Sequence, residues 1–181
     1  LMSSNPAWSP YYISVKLSLN PMPLPKSQYV RGLQCQKSLW LYNHRRDLIP
    51  ETPPDLQMIF DQGHEVGRLA WQRFPGGKLI AEDHLHRKEA LEATRVALDA
   101  GAGVLYEAAV LFDDVLVRAD ILIRNEDNSW DIIEVKSTTG VEAVHLQDLA
   151  IQRYVLEGGG FRVRKTKLMH INNEYVRRGE I

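Results

Sequence analysis

The sequence predicts an α/β fold in which a mixed β-sheet is flanked by helices. Three apolar segments rich in β-branched residues, 104–112, 115–124 and 130–137, follow one another with only short polar turns between them. Segments with helical periodicity precede and follow these strands. A last strand over 162–171 comes after a long helix, so we expect a crossover connection to lead into it.

The segments before these strands predict two helices, a short strand and a third helix. Apolar residues near helical spacing predict helices over 26–43 and 55–73, and the second ends at the sequence Pro-Gly-Gly. Leu56, Ile59 and Phe60 share one apolar face of the second helix and are expected in the core. The short apolar segment 78–81 predicts a strand. A helix over 86–100 ends at Gly101.

The three central strands should form an antiparallel meander, because the connections between them, DD and NEDNS, are short. A helix over 143–157 then ends at three consecutive glycines. It separates the meander from the final strand. The expected order is therefore helices, three strands, a helix and a strand, which gives a mixed sheet.

The bulk composition fits one domain with a core and a short appendage. The chain has 181 residues, of which 44% are hydrophobic and 25% are charged. A formal net charge of −1 argues against a generally basic protein that coats nucleic acid. The proline- and serine-rich residues 1–25 predict an N-terminal tail or arm, and 26–181 the domain. With one cysteine, no signal peptide and no long apolar run, we expect a cytoplasmic protein without disulfides or a membrane partner.

Charged residues interrupt two of the central strands. Asp120 lies within 115–124, and Glu134 and Lys136 lie within the next strand. Because side chains alternate between the faces of a strand, Glu134 and Lys136 point the same way, about 7 Å apart. If the strands are neighbours, Asp120 can lie beside Glu134.

Two neighbouring carboxylates repel each other unless a proton or a cation lies between them. Their hard oxygen atoms suit Mg²⁺ or Mn²⁺. A lysine beside such a site can orient or activate an attacking water, or stabilise phosphate charge. The alternative is a structural ion pair of Lys136 with Glu134 or Asp120, a kind of contact that contributes little to stability.

The segment RAD, followed fourteen residues later by IIEVKSTTG, resembles the core of the PD-(D/E)XK nucleases. It is most similar to the RecB-like exonuclease branch, in a bacterial group related to CRISPR-adaptation exonucleases. The resemblance implies a restriction-endonuclease-like mixed β-sheet core over 26–181. Because the chain stops abruptly after the segment EYVRRGEI, we also expect it to be a fragment of a longer protein. It also implies that Asp120, Glu134 and Lys136 are catalytic, with the two acids holding the metal.

The resemblance implies two further site residues on helices. RecB-like nucleases supply a histidine or an acid from an earlier helix, and here His64 is the candidate metal ligand; it could instead be a boundary histidine bonded to the backbone. Gln152 is the candidate catalytic or DNA-contacting residue on the later helix, unless it is structural. His145 and Asp148 lie on the same stripe of that helix as Gln152, whereas Tyr154 is expected in the core.

Several residues are candidates for contact with nucleic acid. Ser137 and Thr138 could bond the phosphate backbone, although a turn at the strand end explains them equally well. The final strand is either a phosphate-contacting strand or a solvated, protected edge. Its basic candidates are Arg162, Arg164, Lys165 and Lys167. Glu107 is better explained as a partner of Arg118 or Lys136 than as a ligand.

Cys35 matches the early cysteine of those RecB-like exonucleases that hold an iron–sulfur cluster. The chain has no second cysteine, so such a cluster could form only in a longer chain. Within residues 26–181, Cys35 is expected to be a small buried hydrophobic residue.

These observations favour a metal-dependent DNA nuclease, and the resemblance implies an exonuclease that acts on single strands or ends. One alternative is a catalytically degenerate nuclease fold that binds nucleic acid or a protein partner. Another is a metal-dependent hydrolase of small phosphoesters. An open groove would suit a polymer, whereas a closed pocket would suit a small substrate.

Overall fold

The computed structural model describes residues 23–83 and 85–179. The expected tail at 1–25 therefore lies almost entirely outside the described residues. The helices are α1 (Lys26–Gln34), α2 (Gln36–His44), α3 (Pro54–Trp71), α4 (Arg87–Asp99) and α5 (Ala143–Gly158), with a 3-10 turn at Arg46–Leu48. The strands are β1 (Leu24–Pro25), β2 (Lys78–Leu79), β3 (Val104–Phe112), β4 (Val115–Arg124), β5 (Trp130–Val135) and β6 (Val163–Met169).

The strands form one mixed sheet in the order β2-β3-β4-β5-β6. β3, β4 and β5 are antiparallel neighbours, whereas β2 pairs with β3, and β6 with β5, in parallel. A parallel pair needs a crossover, and α5 provides it between β5 and β6. The expected α/β architecture, a mixed sheet flanked by helices, is therefore confirmed.

β1 determines where the N-terminal helices meet the sheet. It pairs in parallel with the first residues of β4, with Leu24 opposite Val115. β5 pairs with the other half of β4, as far as Ile133 opposite Ile121. β1 thus lies along β4 where β5 has ended, and α1 begins immediately after it.

Both faces of the sheet carry apolar side chains, as expected for strands covered on two sides. Leu122 and Ile132 share one face with Val155 and Leu156 of α5. On the other face, the buried side chains of Ile121 and Ile133 pack with residues that include Ala70 at the end of α3. The polar site lies on the face covered by α5.

The helix expected over 26–43 is broken into α1 and α2. Cys35 separates them with an extended backbone, at φ −161° and ψ 107°. Its Sγ accepts a hydrogen bond from the backbone N–H of Ser38 at 3.4 Å and so caps the start of α2. Cys35 is exposed. The expectation that it is a buried hydrophobic residue is therefore wrong, because the side chain serves the helix terminus.

The periodicity of α3 predicts the helix correctly but not its burial. Leu56, Ile59 and Phe60 were expected in the core, but 39%, 56% and 48% of their surface is exposed. Ala70 is the buried residue of α3. An 18-residue helix is about 27 Å long. Only the last turns of α3 lie against the buried part of the sheet. Most of the apolar side chains on its predicted core face therefore remain exposed to solvent.

Candidate active site

The register of β4 and β5 brings the two predicted acids together. Leu122 lies opposite Ile132 and Ile121 opposite Ile133, so the same register sets Asp120 opposite Glu134. Asp120 Oδ2 accepts a hydrogen bond from the backbone N–H of Val135 at 2.6 Å. Glu134 is only 2% exposed. The prediction that these acids meet on one face is confirmed.

Two other predicted residues contact Glu134 directly. Lys136 lies one residue beyond the end of β5, and its Nζ is 2.5 Å from Glu134 Oε1. Gln152, fully buried on α5, donates from Nε2 to Glu134 Oε2 at 2.6 Å. Gln152 Oε1 is buried and has no hydrogen-bond partner among the described residues. The carboxylate of Glu134 is thus held by Lys136, just after β5, and by Gln152 on α5.

Two residues of this cluster were missed as site residues in the sequence. Asp148, one turn before Gln152 on α5, accepts hydrogen bonds from Gln152 at 3.2 Å and from Lys136 at 2.6 Å. Lys26 Nζ lies 2.8 Å from Asp148 Oδ1 and 3.1 Å from Glu134 Oε1. The stripe shared by Asp148 and Gln152 was a usable signal. Lys26 had none, because it is 108 residues from Glu134.

The charges in this cluster depend strongly on one another. Burial, and then the nearby charge of Glu134, raise the pKa of Asp120 well above its ordinary value. Burial alone would favour the neutral form of Lys26, but Glu134, Asp120 and Asp148 outweigh it and raise the lysine's pKa.

Lys136 follows the same pattern as Lys26. Burial opposes its charge, but Glu134 and Asp148 raise its pKa. The pKa of Asp148 is lowered, because Lys26 and Lys136 outweigh the effect of burial. A protonated lysine donates hydrogen bonds and cannot accept a proton. Lys136 is therefore suited to orienting water or neutralising phosphate charge rather than to removing a proton.

Glu107 on β3 extends the acidic row. It falls between the paired residues Tyr106 and Ala108, and its φ is +58°, a left-handed conformation that is strained for glutamate. Its Oε2 lies 3.5 Å from Nε of Arg118, which confirms Arg118 as its ionic partner. Burial raises the pKa of Glu107, and the charge of Arg118 opposes that effect.

His64 does not join the two acids as a third ligand in this arrangement. It is exposed on α3, where its charge acts on Glu107. Among residues 23–83 and 85–179, no three His, Cys, Asp or Glu side chains are grouped so that they could hold a metal ion. The ligand role of His64 stays a prediction.

The donor set at Asp120 and Glu134 nevertheless fits a hard divalent cation. The acids supply oxygen ligands, and a bound cation would oppose both the burial of Asp120 and the nearby charge of Glu134, which together raise the pKa of Asp120. The unpartnered Oε1 of Gln152 is a further oxygen beside the cluster. A metal ion would have to compete with the lysines that hold Glu134 in this structure.

The basic candidates on β6 lie away from this cluster. Lys165 is opposite Asp131 and Lys167 opposite Ile133, so both point to the face opposite Glu134. Arg164 and Lys167 pair with the buried Asp131 at 2.9 and 2.8 Å. Their contact with nucleic acid stays a prediction, and in this structure two of them stabilise a buried acid.

The remaining nucleic-acid candidates lie at the two ends of β5: Arg162 beside its first residue, and Ser137 and Thr138 after its last. Arg162 pairs with Asp127 at 3.0 Å. Thr138 donates to the carbonyl oxygen of Gly140 at 3.1 Å, in the turn after β5, and Ser137 lies beside Gly63 of α3.

Tyr154 was expected in the core but is 48% exposed. Its hydroxyl bonds Asp113 at 3.0 Å, which draws it to the surface.

Comparison with models of known protein families and with curated proteins finds no match to this chain. Within the described residues, no helix is both long and apolar enough to cross a membrane. The resemblance to the PD-(D/E)XK nucleases therefore rests on the sequence motif alone, and any function has to be argued from the arrangement of the acidic cluster.

Proposed function

We propose that the protein is a metal-dependent nuclease that hydrolyses phosphodiester bonds in DNA. The observation that carries the proposal is the convergence of Asp120, Glu134 and Lys136 on one face of β4 and β5. Asp120 comes from β4, whereas Glu134 and Lys136 lie two residues apart at the end of β5. A buried pair of acids with a lysine beside them is costly for stability alone, and such costs concentrate at functional sites.

Each residue of the site has a distinct task under this proposal. Asp120 and Glu134 would hold Mg²⁺ or Mn²⁺, which supplies Lewis acidity and lowers the pKa of water when it is bound. Lys136, kept protonated by its acidic neighbours, would orient the attacking water and neutralise phosphate charge. Gln152 would fix the orientation of the Glu134 carboxylate through its 2.6 Å hydrogen bond.

DNA as the substrate, and preference for single strands or ends, follow from the sequence resemblance. The described basic residues on β6 lie on the opposite face, so they are unsuited to hold the strand that is being cut. The substrate would instead approach near the turn after β5, where Ser137 and Thr138 follow Lys136. Their backbone and hydroxyl groups are of the kind that binds phosphate.

The direct test uses end-labelled single- and double-stranded DNA with Mn²⁺. We expect cleavage by the wild-type protein and a loss of at least about 100-fold in Asp120→Ala and in Lys136→Ala, the scale of removing one transition-state contact. Glu126→Ala and Lys37→Ala are matched controls. They remove the same charges from exposed positions and should retain wild-type rates.

The same measurements show whether a contaminating nuclease is responsible for the cleavage. If Asp120→Ala and Lys136→Ala cut DNA as fast as the wild type, then the chemistry does not belong to this site. Adding EDTA should stop cleavage by the wild type and by both controls. Circular dichroism of each variant would verify that the sheet and helices are retained.

A non-catalytic module that binds nucleic acid or a protein partner is the second candidate. One observation favours it: Lys26 and Lys136 already neutralise Glu134 and Asp148 through four ion pairs. A binding module should retain DNA in the presence of EDTA, and binding should survive Asp120→Ala. Gel-shift titrations of both proteins, without metal, separate this function from the nuclease.

A further inference from the structure

Lys26 is the unexpected member of the acidic cluster. It is the first residue of α1, and β1 brings it to the site by pairing with β4. Its side chain is 18% exposed, less than the 24% of Lys136. The ammonium group is thus set more deeply among the carboxylates than the lysine of the sequence motif.

Three carboxylate oxygens surround Lys26 Nζ. Glu134 contributes Oε1 at 3.1 Å and Oε2 at 3.3 Å, and Asp148 contributes Oδ1 at 2.8 Å. Lys136 contacts Glu134 Oε1 and the other oxygen of Asp148. Lys26 therefore occupies a cation position between Glu134 and Asp148, on the side of Glu134 that Gln152 also contacts.

The balance of charge limits how many divalent ions such a cluster can take. Asp120, Glu134 and Asp148 supply three negative charges when ionised, and Lys26 and Lys136 supply two positive ones. One divalent ion changes the net charge from one negative to one positive. A second ion would leave three positive charges within a mostly buried site, which is strongly unfavourable at low effective dielectric.

We propose that Lys26 is the built-in second cation of the site, so that one divalent ion binds beside it, between Asp120 and Glu134. This inference rests on the proposed nuclease function and adds the metal stoichiometry and a positioning residue. Lys26 holds Glu134 and Asp148 in place before the metal arrives. It also lowers the affinity of the site for metal, since it competes for Glu134.

The test is a calorimetric titration of Mn²⁺ into the wild type, Lys26→Met, Lys26→Arg and the control Lys37→Met, which removes a charge from the exposed face of α2. We expect one Mn²⁺ per wild-type chain. Lys26→Met, which keeps the length and removes the charge, should bind Mn²⁺ about tenfold more tightly, because a competing positive charge is gone. Lys26→Arg and Lys37→Met should stay within about threefold of the wild type, because neither removes charge from the cluster.

Thermal denaturation in EDTA supplies a reading that does not depend on activity. Lys26→Met should melt below Lys37→Met without metal, because Glu134 and Asp148 lose one of their two lysine partners, and Mn²⁺ should raise its melting temperature more than that of the wild type. Two Mn²⁺ ions per wild-type chain would overturn the inference. Equal Mn²⁺ affinity in Lys26→Met and Lys37→Met, or a Lys26→Arg protein that binds as tightly as Lys26→Met, would also overturn it.

A titration of Glu134→Gln separates this inference from the proposed function. If Glu134→Gln binds Mn²⁺ as well as the wild type, the metal site itself is wrong and both proposals fall. If Glu134→Gln loses Mn²⁺ while Lys26→Met matches Lys37→Met, only the role of Lys26 is wrong. Loss of Mn²⁺ in Glu134→Gln together with tighter binding in Lys26→Met supports both.

Discussion

Gln152 is a neutral side chain that connects two acidic ones. Its amide nitrogen bonds Glu134 at 2.6 Å and Asp148 at 3.2 Å, while its oxygen is buried without a partner among the described residues. An amide in this position satisfies both carboxylates at the cost of one unbonded acceptor. That cost would disappear if the oxygen gains a partner in the functional state of the site.

Gln152→Met should lower the free energy of unfolding by about 1–2 kcal/mol, because the hydrogen bonds to two carboxylates are lost from a buried position. Gln147→Met, on the exposed face of the same helix, should change it by less than about 0.5 kcal/mol. Urea denaturation measures both. Equal stability of the two variants would mean that Gln152 does not hold the acids.

Asp131 is the buried acid on the opposite face. Arg164 lowers its pKa most, and Lys167 and Asn125 add to that effect against the cost of burial. The unfolded value is near 3.8, and the folded value is lower. The stabilisation from this group is therefore complete above pH 3.8 and is lost as the pH falls below it.

Asp131→Asn should lower the free energy of unfolding at pH 7 by about 1–2 kcal/mol, a value reduced because Arg164 and Lys167 are half exposed. It should also flatten the fall in stability as the pH drops from about 4 to about 2. Urea denaturation at pH 7 and across that acidic range measures the two effects, with Glu126→Gln as the exposed control. An unchanged pH profile in Asp131→Asn would contradict the assigned ion pairs.

Two helical glycines, in α3 and α5, have opposite surroundings. A Cβ added to Gly67 in α3 would meet nothing within 4 Å. A Cβ added to Gly158, at the end of α5, would collide with the ring of Phe112 at the end of β3. A larger residue at Gly158 therefore requires the Phe112 ring to move. At Gly67 a larger residue meets no such neighbour, and glycine only lowers the stability of α3.

Gly67→Ala should therefore raise the free energy of unfolding by about 0.5–1 kcal/mol, the difference in helix propensity. Gly158→Ala should lower it by about 1–3 kcal/mol, because the Phe112 ring has to move. Denaturation curves of both variants test the pair. A loss of stability in Gly67→Ala would show that α3 packs more closely than its exposed side chains indicate.

The elements with strong local signals could be predicted from the sequence. β3 and β4 match their expected ranges to the residue, since β-branched and apolar side chains bounded by short polar turns define them. The register that joins Asp120 and Glu134 follows from the short turn NEDNS and from strand alternation. The break at Cys35 could not be predicted in this way, because neither glycine nor proline marks it.

The parts of the site that depend on distant packing were not predictable. Lys26 reaches Glu134 only because β1 pairs with β4, and a two-residue strand leaves almost no trace in a sequence. The prediction that the apolar face of α3 is buried was wrong for a related reason. An apolar stripe shows that a helix can be covered, but the length of sheet beneath it determines how much of it is.

Viewed as a whole, the molecule is unevenly packed. The meander and α5 contain most of its fully buried side chains, whereas α2 and α3 expose large apolar ones. Trp40 is 55% exposed, Met58 71% and Ile59 56%. Large exposed apolar side chains contribute little to the stability of the fold that carries them.

Met58→Glu and Ile59→Lys should each change the free energy of unfolding by no more than about 0.5 kcal/mol, as exposed substitutions do. Ile121→Ala, at a fully buried position on β4, should lower it by about 2–5 kcal/mol. Melting temperatures at matched concentration compare them. A large loss in the α3 variants would mean that this face is covered in solution.

The contact between Lys26 and Glu134 also has a consequence for the order in which the protein is assembled. The chain is synthesised from its N-terminus, so Lys26 is made 108 residues before its partner. Asp148 and Gln152 follow later still, on α5. The cluster therefore cannot exist on a nascent chain until α5 has emerged and folded against the sheet. Under the proposed function, a nascent chain that has not yet formed α5 would lack the side chains that hold Glu134 and Lys26, and we expect it to be inactive.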